Sequence, residues 1–574
     1  MGQEHRSGFI IWRRTATRRE LLQGAVGLVS GGIAASVLVA CGGSSGGQGS
    51  PTSATTAGGA GGTPAPSGTK ASTGAAPTAT LPPLSQGKKG GVLRVAIIGE
   101  PPALDPMFTT ATITSNLAWH LFEPLFYRDA HFTPKPLLAD SFQFQDDNKT
   151  LVITLRQGVK FHDGRPMTAD DVIASLVRYG KLSGRGKILF KRVKNLDKVD
   201  DHTIRFQFSD PTGIAPIFLS QTDAFIIPKD LAEAYPDKAL GQFIGTGPFK
   251  FKDWQHDRQI TFVRFDDYAP LKGNPDGYGG AKVAFFDELR FIPVPEQAVR
   301  GDGLTTKEFD FAEQLSLDNY QEFKSQPDLG LQITLPYYFY GAHFNKAKES
   351  MMSNRTLRQA LLAAVNVDPV AKAGFSAPDF YRLYSSQSAP ETPWYTEGGK
   401  EYYNQKNPDK AKQLLKEAGY DGKPIRWLAT KEYSYNYNMA VVLKQQLEAI
   451  GVTIDLQVMD WATLVKTRSQ RDAWDIFITG HESYQHPVLQ PYMSPTWPGF
   501  WENAQRDDLV AKLMGETDEA KIKQYVTQLD QVWWEDAAMI KVCEGAVLRG
   551  YNKKLQGYAN LPDWFFWNCW FSGA

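Results

Sequence analysis

Between residues 408 and 479 helix and strand signals alternate, and this alternation constrains the fold more than any other feature of the chain. Asn407 suits an N-cap, Pro408 the first helical position and Gly419 the stop. Between them Ala411, Leu414, Leu415 and Ala418 recur at helical spacing. Ile425 to Thr430 reads as a short strand, followed by a polar, Tyr-rich turn and a helix over Met439 to Ile450 that Gly451 closes. Val452, Ile454, Leu456 and Val458 alternate as a strand does, Asp460 caps a third helix to about Ser469, and Trp474 to Thr479 is a third strand. Such repetition predicts an α/β architecture with a mostly parallel sheet and right-handed crossovers. In open α/β sheets the ligand crevice lies outside the carboxyl ends of the strands, which nominates the turns 430–438, 459–461 and 480–487.

Upstream, Val92 to Ile98 reads as a strand and Ile113 to Phe122 as a helix. Thr150 to Leu155 and Thr203 to Phe208 alternate as half-buried strands. Thr168 to Tyr179 is an amphipathic helix: Thr168 and Asp171 approximate a capping box, and Val172, Ile173, Leu176 and Val177 are expected to face inward.

The first 40 residues read as an export signal. Arg6, Arg13, Arg14, Arg18 and Arg19 precede an uncharged run from Leu21 to Ala40. Thr17-Arg18-Arg19-Glu20-Leu21-Leu22 resembles the twin-arginine signal. Leu38-Val39-Ala40-Cys41, with Gly42 and Gly43 after it, resembles the bacterial lipobox, which implies that Cys41 becomes the first mature residue and carries lipid. Residues 41–88 form the lipidated Cys and a linker that from Gly42 onward is almost wholly Gly, Ser, Thr, Ala and Pro. Such sequence buries too little apolar surface to offset ordering entropy, and a coil of this length reaches roughly 35–40 Å. Gly42-Gly43-Ser44-Ser45-Gly46 matches G-x-S-x-G but lacks the strand and helix that a nucleophile elbow needs.

Composition narrows the function classes. Lys plus Arg number 62 and Asp plus Glu number 62. Without the export segment, which holds five Arg and two Glu, the balance is 57 to 60, a net charge of −3. That argues against nucleic acid, whose binders carry surplus cations. Three Cys cannot build a disulfide scaffold; Cys543 and Cys569 are open to pairing or to remaining two buried thiols. No P-loop or dinucleotide fingerprint occurs.

Several collinear stretches carry a family resemblance. They include Gly90-Gly91-Val92-Leu93-Arg94-Val95, Glu100-Pro101-Pro102-Ala103-Leu104-Asp105-Pro106, Glu123-Pro124-Leu125-Phe126 and Pro136-Leu137-Leu138-Ala139-Asp140-Ser141. Most specific is Leu155-Arg156-Gln157-Gly158-Val159-Lys160-Phe161-His162-Asp163-Gly164, leading into Thr168-Ala169-Asp170-Asp171-Val172. Gly245-Thr246-Gly247-Pro248-Phe249, Asn354 to Ala360 and Asp409 to Tyr420 follow. The chain resembles the peptide/nickel/oligopeptide class of solute-binding proteins that serve ABC importers (extracellular family 5). The resemblance implies a two-lobed, hinged periplasmic-binding-protein fold of type II, with an extra subdomain in the first lobe. It places the two chain crossings near 333–344 and 538–548, lobe I at 89–337 plus 546–574 with the subdomain at about 127–243, and lobe II at 338–545. It further implies a monomer tethered to the outer face of the cytoplasmic membrane by its lipid, a small peptide or peptide-like solute, an ABC permease as partner, and neither catalysis nor a cofactor.

A clamp of this kind closes over its solute and needs few polar groups and aromatic walls. Of 14 Trp, 11 lie at or beyond Trp394, and most are expected to fill the core. The candidate lining residues are Tyr433, Tyr435, Trp461, His481, Glu482, Tyr484 and Trp497, with Trp119 from lobe I. Dipeptide binders of this class hold the free amine with an Asp in the counterpart of 480–487 and the carboxylate with a basic residue near the counterpart of 430. Here those slots fall on Tyr484 and Thr430, a departure that argues against a free dipeptide and leaves longer peptides, glycans and other solutes open. His481-Glu482-Ser483-Tyr484-Gln485-His486 spaces its imidazoles five apart after a strand, whereas zinc proteases take His at i and i+4 on one helix face. The alternatives are a secreted hydrolase acting on peptide or carbohydrate, and the same fold serving as a sensor for a glycan or metallophore.

Overall fold

The computed structural model describes residues 81–573. The export signal with Arg18 and Arg19, the lipobox Cys41 and the linker up to residue 80 lie outside the described residues. Among the described residues no helix is long and apolar enough to cross a membrane.

One mixed sheet organises the chain. Its strands are β1 (Val92–Ile97), β2 (Phe249–Gln255), β3 (Gln259–Arg264), β4 (Glu288–Pro293), β5 (Phe311–Ala312), β6 (Leu329–Phe344), β7 (Ile425–Ala429), β8 (Ile454–Val458), β9 (Ile476–Glu482) and β10 (Met539–Asn552). They lie in the order β8-β7-β9-β6-β10-β5-β1-β4-β3-β2, and the short strand Tyr381–Arg382 also pairs with β10. The helices that position the site are α1 (Thr112–Leu121), α2 (Ala169–Leu182), α3 (Gly184–Phe190), α4 (Pro408–Glu417), α5 (Ser434–Glu448) and α6 (Trp461–Arg468).

The α/β reading of 408–479 holds. β7 pairs in parallel with both β8 and β9, through crossovers that contain α5 and α6. Asn407 caps α4 by accepting from the Lys410 amide, and Asp460 caps α6 by accepting from the Thr463 amide. Three local expectations change. α5 begins at Ser434, so the Tyr-rich segment expected as a turn is the first turn and a half of the helix. Its buried residues Asn436, Met439, Ala440, Leu443 and Leu447 keep helical spacing, and polar Asn436 hid the start of that face. β9 runs to Glu482, which takes His481 and Glu482 out of the expected turn, because Phe339 and Tyr338 of β6 pair with them. On α2 the inward face is Val172, Ser175, Leu176 and Tyr179, whereas Val177 is 53% exposed. It stands about 100° further round the helix than Leu176, beyond the apolar stripe.

β6 has 16 residues and β10 has 14, and they pair antiparallel over nearly their whole length, about 50 Å at ~3.3 Å per residue. Leu329 to Thr334 pair with Asn552 to Val547, beside the half of the sheet that contains β5 and β1. Tyr338 to His343 pair with Gly545 to Met539, beside β9. The register shifts between Thr334 and Tyr338, so the ladder breaks where the strands pass from one half-sheet to the other.

A separate antiparallel sheet of Ala139–Gln145, Thr150–Leu155, Thr203–Phe208 and Val193–Asp200, in that order, packs with α2 and α3. Thr168 begins α2 by donating its amide to Asp171 Oδ2 at 2.9 Å. Trp394, Trp427, Trp474, Trp501, Trp533, Trp534, Trp564, Trp567 and Trp570 are buried, as their apolar area favours.

Candidate functional site

Side chains from both half-sheets converge where β6 and β10 cross between them. α1 contributes Asn116 and Trp119, both buried. Trp119 is fully enclosed, its Nε1 donating to Asp563 Oδ2 at 3.3 Å and its ring 5.1 Å from that of Tyr278. Arg128 ends the short strand Phe126–Arg128 and lays its guanidinium 4.2 Å over the Tyr278 ring and 5.7 Å from Trp119. Its Nη2 lies 3.4 Å from Asp563 Oδ2, while Nε and Nη1 are buried with no hydrogen-bond partner. From the far side Tyr484 brings its ring within 5.5 Å of the same guanidinium and stacks on Phe132 at 5.3 Å.

Burial opposes the charge on Arg128, but Tyr278, Asp563, Tyr484 and Glu482 more than offset it and hold its pKa above the ordinary value. Burial pushes the Asp563 carboxyl up, against the pull of Arg128. It also lifts the Tyr278 and Tyr484 hydroxyls far above their usual range, so both remain neutral donors at physiological pH.

The turn after β9 is fixed from beneath. Buried Glu544 of β10 accepts from the Ser483 hydroxyl and from the Tyr337 amide at 3.0 Å, and Arg382 Nε donates to it at 2.7 Å. Alternate residues of a strand face opposite ways, so His481 and Glu482 part company. The Glu482 carboxylate reaches Arg185 Nη2 of α3 at 3.2 Å, and Arg185 Nη1 lies 3.7 Å from Asp223. Beside the cluster runs a crevice of about 270 Å³ counted to its open mouth, lined by Ile98, Thr112, Asn116, Glu313, Tyr337 and Arg549 among others. Glu313 accepts from the Ile98 amide at 2.8 Å and from Trp564 Nε1 at 2.6 Å, and burial raises its carboxyl pKa.

The residues nominated from sequence fall into two groups. Trp119, Glu482 and Tyr484 belong to the cluster just described. His481 is buried on the other side of β9, its Nε2 2.8 Å from His343 Nε2, with the rings of Tyr492 and Trp497 at 4.7 and 5.4 Å. Burial lowers its pKa to about 3, so that imidazole is neutral. Trp497 leads through Arg468, which lies 5.8 Å from its ring and 5.3 Å from that of Trp461, to the edge-on pair of Trp461 and Tyr433 at 4.9 Å. Tyr435 packs flat on Phe375 at 6.0 Å and edge-on to Tyr340 at 5.2 Å. His486 accepts from the Val488 amide and faces Trp394, so the two imidazoles of the His-Glu motif have different partners. Among the described residues no group of three or more His, Cys, Asp or Glu is placed to hold a metal ion. Cys543 and Cys569 are both buried free thiols.

Arg128, Arg185, Tyr278 and Asp563 were not legible as site residues. Arg128 and Asp563 are 435 positions apart. The only local hints were that Arg128 directly follows the Glu123-Pro124-Leu125-Phe126 stretch by two positions and that Arg185 sits between Gly184 and Gly186.

The family model for bacterial extracellular solute-binding proteins, family 5, middle region, matches residues 133–502. A protein of Sinorhizobium fredii named "Probable peptide ABC transporter periplasmic-binding protein y4tO" is 30% identical over 502 residues, covering 81% of this chain and 90% of that protein. The oligopeptide-binding protein AppA of Bacillus subtilis, solved with a nonapeptide, superposes with a TM-score of 0.69 at 22% identity, over 85% of this chain and 100% of that one. DppA of Helicobacter pylori, an ABC transporter-associated periplasmic binding protein solved with the peptide STSA, gives 0.71 at 22% identity, over 85% and 99%. At such identities the two structures speak for the fold, a mixed α/β arrangement in two lobes. The chain belongs to the family 5 extracellular solute-binding proteins of bacteria.

Proposed function

We propose that this chain is a receptor, tethered to the outer face of the cytoplasmic membrane through lipid on Cys41, that captures a peptide or peptide-like solute between its lobes and hands it unchanged to an ABC permease. In this reading lobe I is 89–337 plus 546–574, lobe II is 338–545, and the inserted sheet belongs to the subdomain at about 127–243. The pivot lies at the register break of β6 between Thr334 and Tyr338 and at the facing residues of β10.

The observation that carries the proposal is that one cluster draws its walls from both sides of those crossing strands: Trp119, Arg128 and Tyr278 from one side, Tyr484 and Glu482 from the other. Hinged lobes that meet over rings and a few polar groups exclude water from a bound solute, which is how such a clamp gains affinity. The relatives' names, a peptide transporter component and two peptide complexes, point to the same class of solute. The protein acts as a monomer without catalysis.

Thermal unfolding of the mature chain with Cys41→Ser, scanned against oligopeptide and oligosaccharide pools, tests the reading. A ligand at 100 times its Kd adds about 2.7 kcal/mol of stability. Stabilisation by a peptide pool with the peptides recovered intact is the expected result; turnover of a pool without stabilisation by any compound points instead to a hydrolase.

A further inference from the structure

We infer that the separate antiparallel sheet is the closing jaw of the receptor. Its turn at Asn148 and the segment 211–214 dock on the end of a helix from the other lobe, and Asn148 and Gly213 are positioning residues for the closed form. The inference rests on the receptor reading and the lobe boundaries proposed above, and adds to them a surface on which the lobes meet.

The helix is α7 (Ala504–Gly515). The last carbonyls of a helix lack partners within it and carry the negative end of its dipole. α4 and α5 draw on the residues that follow them: the Tyr420 amide donates to the Leu415 carbonyl at 3.0 Å, and the Val452 amide to that of Leu447 at 3.2 Å. The last two carbonyls of α7 are met from far along the chain. Asn148 Nδ2 donates to the Gly515 carbonyl at 3.1 Å across 367 positions, and the Ile214 amide donates to the Met514 carbonyl at 3.3 Å. The same stretch of chain also meets the end of β9 and the turn after it, through Arg185 with Glu482 and through the stacked rings of Phe132 and Tyr484.

Two features mark this contact as a built one. Asp146, Asp147 and Asn148 have φ of 52°, 52° and 60°, three left-handed residues in succession without a glycine. Asp and Asn enter that region more readily than most residues but still at a cost, and such strain persists where the surroundings over-determine it. Here the Asp146 carboxylate accepts from the Thr150 hydroxyl at 2.7 Å and its carbonyl from the Lys149 amide at 3.1 Å, while the Asn148 carbonyl accepts from the Thr212 amide at 2.9 Å. The turn is thereby fixed with the Asn148 side-chain amide on the end of α7. The second feature is a close approach of two glycines. A Cβ on Gly213 would lie 2.8 and 2.7 Å from the Gly515 and Glu516 carbonyl oxygens, and one on Gly515 would lie 3.1 Å from Pro211. Main chain therefore meets main chain with no Cβ between these glycines, which lets the two surfaces seat closely and part again.

The test uses the mature chain with Cys41→Ser and a mixed-sequence pentapeptide pool. Gly213→Ala sets a methyl against the α7 carbonyls only when the lobes are closed. It is expected to weaken binding of the pool at least ~5-fold in calorimetric titration, while the ligand-free protein unfolds at the wild-type urea concentration. Asn148→Gly keeps the left-handed turn and removes the amide, and is expected to weaken binding about 5-fold. Asn148→Asp turns a carboxylate towards the same carbonyls and is expected to weaken it further than Asn148→Gly. Variants that bind the pool as tightly as the wild type, or a lowered ligand-free urea midpoint in Gly213→Ala, which would make the contact a permanent part of the fold, overturn the inference and leave the receptor reading standing. Wild-type protein that does not bind the pool overturns both.

Discussion

Arg185 of α3 and Glu482 at the end of β9 form an ion pair of 3.2 Å across 297 residues of sequence, and it joins the helix beside the separate antiparallel sheet to the strand that leads into Tyr484. Both side chains are partly exposed, at 31% and 26%, so solvent and salt screen the pair. Such a contact does little for global stability and can still bias a hinge. Glu482→Gln is therefore expected to change unfolding stability by no more than ~1 kcal/mol while shifting the ligand-free protein towards an open form. Small-angle scattering of the two proteins reads this directly, and an unchanged radius of gyration together with a large loss of stability contradicts it.

Tyr484 and Trp461 separate the two groups of nominated residues. Tyr484 covers Arg128, whereas Trp461 pairs with Tyr433 near the ends of β7 and β8. Tyr484→Ala is expected to weaken solute binding by roughly tenfold, and Trp461→Ala by no more than about threefold, on the ~1 kcal/mol scale of single aromatic contacts. Titration of both variants with the peptide that stabilises the wild type settles which group lines the cleft.

Lys541 is fully buried in β10, its Nζ 3.6 Å above the Tyr384 ring. Burial lowers its pKa to about 7, although Glu544, Cys543 and Asp530 pull it upward. An unfolded lysine titrates near ~10.4, so between about pH 7 and pH 10 the unfolded chain binds more protons at this position than the folded one. Stability contributed by the group therefore rises with pH across that window, by up to ~1.4 kcal/mol per unit. Denaturant unfolding at pH 7, 8.5 and 10 is expected to give a gap between wild type and Lys541→Met that changes by this slope. A gap that stays constant means the amine is not desolvated as described.

Gly545 lies opposite Tyr338 in the β10–β6 ladder, and a Cβ there would overlap the ring of Phe375, which is 3% exposed. The ring has no free space to yield into, so Gly545→Ala is expected to cost ~1–3 kcal/mol and to lower the melting temperature by a few degrees. A wild-type melting curve would show that the strand can shift at the crossing without cost.

In the lipid-anchored reading proposed above, Cys41→Ser is expected to move the protein from the membrane to the soluble fraction, since stable anchoring takes more than one acyl chain. Fractionation followed by immunoblotting reads the outcome, and continued membrane retention identifies the apolar run Leu21 to Ala40 as an uncleaved anchor.

Local order was legible because it is written in neighbouring residues. Asn407, Asp460 and Thr168 start helices through bonds that reach three positions along the chain, and the spacing of Ala411 and Leu415 follows from 3.6 residues per turn. The parallel pairing of β7 with β8 and β9 follows from alternating strand and helix, which leaves few right-handed ways to connect them. The family resemblance could be read in the same way, from short collinear stretches. Where polarity interrupted a pattern, as Asn436 does in α5, the boundary was missed.

The site is of another kind. Nothing near Arg128 in the sequence announces Tyr278, Asp563 or Tyr484, because the contacts that surround its guanidinium join segments hundreds of residues apart. His481 and Glu482 are neighbours of similar polarity, and only the pairing of β9 with β6 decides that one faces His343 and the other Arg185 of α3. Sequence alone determined the linker composition, the α/β alternation and the family, because each rests on local spacing or composition. Which polar groups are buried, which of their N–H directions stay empty and which residues of the two half-sheets meet were decided by tertiary structure, since burial and hydrogen bonding depend on atoms that the chain brings together only when folded.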